Sequence, residues 1–475
     1  MAGWFTTFAA AWQADWRERR RDGRVALVLV LGLALALAAA LLSARDLRDT
    51  AHARAEATQA EQHRWLHQGR KNPHSAAHYG VYAFKPQSAL AAVDPGVEPY
   101  VGSSVWLEAH KQNEFVYRPA NDAPGTVRQF ALTPAFVLQV LVPLALVFLG
   151  FGVWAGEREA GALVQLRLQS ARLGALAAAR AAVLLVLGLV LALPALAAVL
   201  WVQGQLPATA PAFCDAGLRW TLFGAGYLGY LALWCLAIVT VSAASATLLR
   251  SLAVLMGLWA ATTLVLPRAA VEWAQSAAPL PSGAVFRQQM EAALGEPHDP
   301  AEEKRQQQAL MQQHGVSRLE DLPVNWSGIS LQRGEERGNA VFDAHYGRLF
   351  AAMRAQDRAV AGWAWLSPTL AVAGLSAAAA GSDTEHHLQF VQGAEAHRRL
   401  IQRQMNDAIT ATPDRNGQRV EGDDALWSRV PPMRFRFDAL GPGLWRHALP
   451  LLALLAAMAL ACHLTLRRLQ KGPLR

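Results

Sequence analysis

Cysteine is scarce in this chain, with three in 475 residues, at Cys214, Cys235 and Cys462. Two fall inside apolar runs and one in a short connecting stretch, so no disulfide framework or thiolate cluster is implied. Charge is sparse too: 17% of residues are charged and 53% hydrophobic, a balance that argues against two or three ordinary soluble domains. No Gly-Lys-Ser/Thr occurs, so the phosphate-cradling loop of an ATPase is missing. Gly-x-Ser-x-Gly is absent as well, and no Ser/His/Asp set stands out, which leaves hydrolase chemistry unsupported. No repeat of roughly 20–50 residues recurs, which speaks against a solenoid.

What the chain does hold is apolar runs. Crossing the hydrocarbon core takes roughly 20 mostly apolar residues in helix. Such runs fall at residues 25–44, 134–155, 181–202, 219–246, 251–267 (short) and 444–466. Arginines from Arg17 to Arg24 precede the first like the n-region of a signal peptide. Its apolar part is too long for one, however, and an Arg/Glu-rich helical stretch follows, so it reads as an uncleaved first span.

The net charge of +8 is arranged for membrane orientation, not for nucleic acid. Arg17, Arg19, Arg20, Arg21 and Arg24 precede the first span, and Arg158, Arg167, Arg172 and Arg180 lie between the second and third. Arg250 links the fourth and fifth, and Arg467, Arg468, Lys471 and Arg475 follow the sixth. Six crossings put all four groups on one side, and the positive-inside rule makes that side cytoplasmic, with both termini. The predicted fold is thus an α-helical integral membrane protein of six transmembrane helices. Residues 1–24, 156–180 and 467–475 are inside, and 203–218 is a short outer loop. Two large extracytoplasmic segments remain, 45–133 and 268–443. The first begins as a helical stalk to about Gly69 and then becomes mixed or irregular, rich in Pro, Gly and Tyr. The second is mainly helical by its three- and four-residue apolar spacing. Residues 366–381 are apolar but short and Ala/Gly-rich, and read as an interfacial or domain-buried helix.

Ionisable residues are nearly absent from the span interiors, where proton relays and ion-coupled carriers place theirs. A membrane protein with neither coupling ions nor a nucleotide site takes work from a partner. The natural contact is the charged stretch from Glu157 to Arg180, beginning Gly156-Glu157-Arg158-Glu159-Ala160-Gly161-Ala162-Leu163 and continuing with leucines at 166, 168, 173 and 176. Read blandly, it is a solvated loop whose arginines serve only as topology anchors. Trp4, Trp12, Trp16, Trp154, Trp201, Trp220, Trp273 and Trp445 sit near span ends, as an interfacial aromatic belt does. His74 and His78 are four apart and on a helix would share a face, offering two metal ligands. Pro73 and Gly80 flank them and no third ligand is near, so hydrogen-bonded loop histidines are the expectation and no metal site is assigned.

The chain resembles the ABC-2 type permeases that carry the domain of unknown function DUF3526. The resemblance rests first on Lys71-Asn72-Pro73-His74-Ser75-Ala76-Ala77-His78-Tyr79-Gly80 and Tyr82-Ala83-Phe84-Lys85-Pro86, continued by Asp94-Pro95-Gly96, Leu107-Glu108-Ala109-His110 and Gln112-Asn113. It includes the membrane-exit motif, with Ala162 where the family usually has Thr and Arg180 where Lys is common. Leu366-Ser367-Pro368 and Val430-Pro431-Pro432 are further landmarks. The resemblance implies a multi-pass subunit of a bacterial plasma (inner) membrane exporter, without its own ATPase site. Glu157, Arg158, Glu159, Gly161 and Leu163 would form its coupling element. It also implies a dimer with a second copy or a related permease, on cytoplasmic ABC ATP-binding subunits that hold ATP and magnesium, with spans one, two and five rearranging at the seam. Asn72, Pro73, His74, His78, Tyr79, Glu108, His110, Gln112 and Asn113 are motif residues without an assigned role. The outer segments could recruit a periplasmic or outer-membrane partner. The rival expectation is a mechanotransmission or scaffold protein whose ATP-driven motion acts outside without passing substrate. A membrane-bound metal enzyme using His74 and His78 is a third.

Overall fold

The computed structural model describes residues 2–116, 132–168, 172–207, 213–295, 299–414 and 420–471. Six helices are long and apolar enough to cross a bilayer: span one Gly23–Leu66, span two Pro134–Glu159, span three Leu173–Gln203, span four Ala216–Ala244, span five Leu248–Ala277 and span six Pro442–Lys471. Five of them contain one of the apolar runs and extend beyond it, while span four begins before its run, 219–246, and stops at Ala244. Span one extends furthest: its 44 residues reach about 66 Å at 1.5 Å per residue, roughly twice the hydrocarbon thickness. Its polar half is the stalk that the Arg/Glu-rich sequence implied.

Span four is the bundle's centre. Its most apolar window is 56% buried, against 22%, 22% and 17% for spans one, five and six, whose outer faces are bare. A helix at Ala2–Arg21 precedes span one and packs along span three, with Trp4, Phe8, Trp12 and Trp16 stacked along its length. The basic groups meet at one end of the bundle. Arg19 donates to the Leu149 carbonyl (2.8 Å), Arg158 to the Ala243 carbonyl (2.8 Å) and Arg167 to the Gln470 carbonyl (3.4 Å).

At the other end the two large segments fold into one body. The first supplies a short helix, Pro73–Tyr79, and an antiparallel sheet of β1 (Val81–Phe84), β2 (Ser104–Glu108) and β3 (Lys111–Gln112). Its order is β1-β2-β3, with Val81 opposite Leu107 and Leu107 opposite Gln112. The second supplies two long helices, Trp326–Gly362 and Thr384–Thr410, packed on each other. Their cores are shared. Ala83, Val105, Leu107 and Phe115 pack with Phe350, Leu388, Phe390 and Phe437, while Trp65, Ala76 and Ala77 pack with Ile401, Met405, Trp427 and Val430. Two indoles fasten the stalk: Trp65 Nε1 donates to the Trp427 carbonyl (3.0 Å) and Trp427 Nε1 to the Gly69 carbonyl (3.1 Å). Lys85 and Glu98 form a fully buried ion pair within the first segment.

The short apolar stretch at 366–381 becomes a helix, Pro368–Ala380. Ser367 caps it by accepting from the Leu370 amide, Pro368 opens it, and Gly381 closes it at φ 71°. Its 13 residues reach only about 20 Å, too short to cross. It lies buried against spans four and six, so burial holds, but among the spans and not within the second segment that contains it. Gly226 and Gly374 make the fit: a Cβ on the first would stand 2.7 Å from Leu375 and on the second 2.1 Å from the His447 ring.

Trp427 has no exposed surface and joins stalk, sheet and second segment. Trp427→Ala should therefore cost about 3–5 kcal/mol, read as a lowered melting temperature in detergent and faster proteolysis between stalk and body.

Candidate functional site

Span two is not one continuous helix. An α-helix at Val142–Gly150 stops, residues 151–154 turn, and a short helix at Ala155–Glu159 resumes. Gly150 and Gly152 let neighbours close in. A Cβ on Gly150 would lie 2.6 Å from Ile238, and one on Gly152 would lie 2.9 Å from Leu248. A break inside an apolar bundle frees backbone groups that water cannot reach, and each left bare would cost kilocalories.

Side chains from spans three, four and five satisfy them. The Phe151 carbonyl accepts from Ser242 Oγ (2.8 Å) and Ser251 Oγ (2.6 Å), and the Val153 carbonyl from Arg180 Nη1 (2.7 Å). Ser242 Oγ also accepts from the amides of Trp154 (3.0 Å) and Ala155 (3.1 Å). Trp154 is fully buried, with the Arg180 guanidinium 4.3 Å from its ring.

The exit motif then fans out. Glu157 pairs with Arg180 of span three. Arg158 donates to the Ser245 and Ala243 carbonyls, at the C-terminal end of span four, where a cation suits the helix dipole. Glu159 Oε1 accepts from the Leu248 amide (2.8 Å) at the N-terminus of span five, where an anion suits it. Three consecutive charged residues thus reach three different spans.

The charged ends of Glu157, Arg158 and Glu159 are engaged within the chain, so they brace the elbow and do not simply point outward. Nor is the stretch to Arg180 one helix. Gly161 turns at φ 74°, a second short helix runs Ala162–Leu168, and Leu173 to Arg180 already belong to span three. Leu163 is buried under the elbow, whereas Gly161 and Gln165 are exposed and Leu168 is 64% exposed.

The motif residues of the first outer segment also gather. Asn72 caps helix Pro73–Tyr79 by accepting from the His74 amide (2.9 Å), and Pro73 is buried at its first turn. The Tyr79 ring lies under Arg64 and Lys71, at 4.4 and 4.2 Å. Asn113 Nδ2 donates to Glu108 (2.8 Å) and to the Trp106 carbonyl (3.0 Å), and Gln112 is buried behind them. The β2–β3 turn carries His110 to His74 and His78, so the expectation that this pair lacks a third partner does not hold. The Glu335 carboxylate bonds His110 and holds its imidazolium form above the usual range, while burial lowers His74. Sequence reading missed Glu335. It lies 225 residues from His110 in a helix of ordinary polarity, and no local signal marks it.

The six helices and the side-chain-braced elbow define a helical multi-pass membrane protein. Within it, residues 284–437 match the family described as a domain of unknown function, DUF3526. No curated protein and no solved structure matches the chain. The matched stretch covers most of the second segment of the body, including Glu335. The motifs from Lys71 to Asn113 and at the membrane exit lie outside it.

Ser242 Oγ serves three backbone groups at once. Ser242→Ala should destabilise the protein by about 1–3 kcal/mol, with faster amide exchange at Trp154 and Ala155 as the local signature.

Proposed function

We propose that this chain is the membrane-spanning subunit of an ABC-2 type exporter in a bacterial plasma membrane, worked by a separate cytoplasmic ATP-binding subunit. The observation that carries the reading is the fan of Glu157, Arg158 and Glu159 onto spans three, four and five. A push on the elbow has nowhere soft to go. Glu157 passes it to span three, Arg158 to the end of span four and Glu159 to the start of span five. Helix Ala162–Leu168 offers the contact, with Leu168 bare at its end.

The gathering of basic groups at the elbow's end supports a cytoplasmic setting with both termini inside. ATP and magnesium would be held by the partner alone, and a second copy or related permease would complete the dimer. Cargo would leave on the side of the large body. A second reading, motion transmitted to the body without translocation, draws on helix Pro368–Ala380, which fixes the body to spans four and six. A continuous substrate-wide path through the dimer would count against that second reading, and a seam sealed with and without ATP would favour it.

The test is reconstitution with the ATP-binding subunit that co-purifies in fixed ratio. Glu159→Lys should lower coupled ATP hydrolysis about fivefold or more, the scale of an ordinary coupling energy. Leu168→Ser, at a side chain mostly in water, should weaken assembly with that subunit and leave the melting temperature unchanged. Normal assembly with undiminished hydrolysis in both variants would sink the role of the elbow.

A further inference from the structure

Three imidazoles meet on the surface of the body. His74 and His78 stand one helical turn apart, on one face of helix Pro73–Tyr79. His110 comes from the β2–β3 turn. It is the only non-glycine residue with positive φ among the described residues, at 61°, a conformation that costs free energy and aims the side chain. The Nε2 atoms of His78 and His110 lie 3.2 and 3.4 Å from Nε2 of His74. All three candidate ligand atoms fall within 4.8 Å of one another. Zinc–nitrogen bonds of about 2.0–2.1 Å in tetrahedral geometry put ligand nitrogens about 3.3–3.4 Å apart, and two of the three edges already match.

Hydrogen bonding alone accounts poorly for this. A neutral imidazole Nε2 has either one lone pair or one N–H, yet His74 Nε2 faces two other nitrogens at bonding distance. The rings are not stacked for packing either. Their planes cross at 88°, 51° and 62° with centroids 4.7–5.0 Å apart, splayed around a common point.

The support behind His110 is also what a metal ligand needs. Its Nδ1 is bonded to the Glu335 carboxylate, which fixes the tautomer that turns the Nε2 lone pair toward His74 and His78. Glu335 is 3% exposed, accepts the His110 backbone amide as well (3.2 Å) and lies 3.8 Å from Arg398. His78 and His110 are open to solvent, so a fourth coordination position faces water.

The geometry points to a binding site for a borderline divalent transition metal of the zinc class, held by His74, His78 and His110, with Glu335 orienting His110 and one position open to solvent or an exogenous ligand. Three neutral nitrogen donors suit zinc, copper and nickel better than calcium or magnesium, which prefer oxygen. The ion ties helix Pro73–Tyr79 to the β2–β3 turn, and through Glu335 to the DUF3526 segment. This inference is independent of the transport reading.

The test uses tag-free full-length protein in detergent, stripped with chelator and titrated with zinc against a chromogenic competitor. One ion per chain is expected. His78→Ala, at an exposed position, should weaken binding at least about tenfold, and Glu335→Gln by about 10–100-fold. His397→Ala, in the same body but outside the cluster, should bind as wild type does. Cobalt in place of zinc should give the visible absorption of a tetrahedral nitrogen site, lost in His78→Ala. Absence of stoichiometric zinc, or wild-type affinity in both His78→Ala and His110→Ala, would overturn the site. Should Glu335→Gln misfold, the exposed His78 variant decides the matter.

Discussion

In lipid, a backbone amide or carbonyl that leaves a helix must find a protein partner, because no water is available. The bundle is organised around that constraint. Span two departs from regular α-helix twice, at the π-helical turn Val137–Leu141 and at the break after Gly150. Around the first departure, the Gln139 carbonyl takes the Tyr230 hydroxyl (2.5 Å) and the Val140 carbonyl takes Trp259 Nε1 (3.1 Å). Around the second, Ser242, Ser251, Arg180 and Arg19 supply the partners. Span five repeats the pattern. Its π-helical turn Ala261–Val265 gives the Thr262 carbonyl to Ser367 Oγ (2.6 Å). The irregularities hold the spans together, since each requires a side chain from a neighbour.

A chain fastened this way moves in units. Between hydrophobic surfaces alone, helices can slide with modest loss. Across a bifurcated serine or a carbonyl held by arginine they cannot slide without leaving a polar group bare. Displacing the elbow alone would strip partners from polar groups on spans three, four and five. The spans with the least buried surface, one, five and six, have the most freedom to meet lipid or another chain.

The spans were legible because twenty apolar residues in a row have few alternatives. The polar stalk that carries span one to Leu66 was legible too, but the end of span five was not, because Leu248–Ala277 continues past its apolar run through polar sequence packed on the body. The mixed first segment and helical second segment were legible from turn residues and apolar spacing. Their fusion into one core was not, since Trp65 and Trp427 lie 362 residues apart. At the elbow, the charges of Glu157 to Glu159 announced a special place. Their destinations depend on Ser245 and Leu248, which carry no motif of their own, and on Arg180, a landmark whose pairing with Glu157 only folding reveals. His110 was visible as a motif residue, but only folding brings it to His74.

Helix Pro368–Ala380 gives the body a root. Tyr227 meets Ser376 at 3.0 Å, and Tyr230 meets Thr369 at 3.1 Å, in the midst of span four. The body is thus no cap on a flexible tether: its apolar keel sits among the spans. An excised body would carry that keel bare into water. The bundle without it would hold a groove in which the Tyr227 and Tyr230 hydroxyls each lose one partner. Neither half is a finished object, so the boundary between membrane and aqueous parts, plain in the hydropathy of the sequence, is not a boundary at which the protein can be divided.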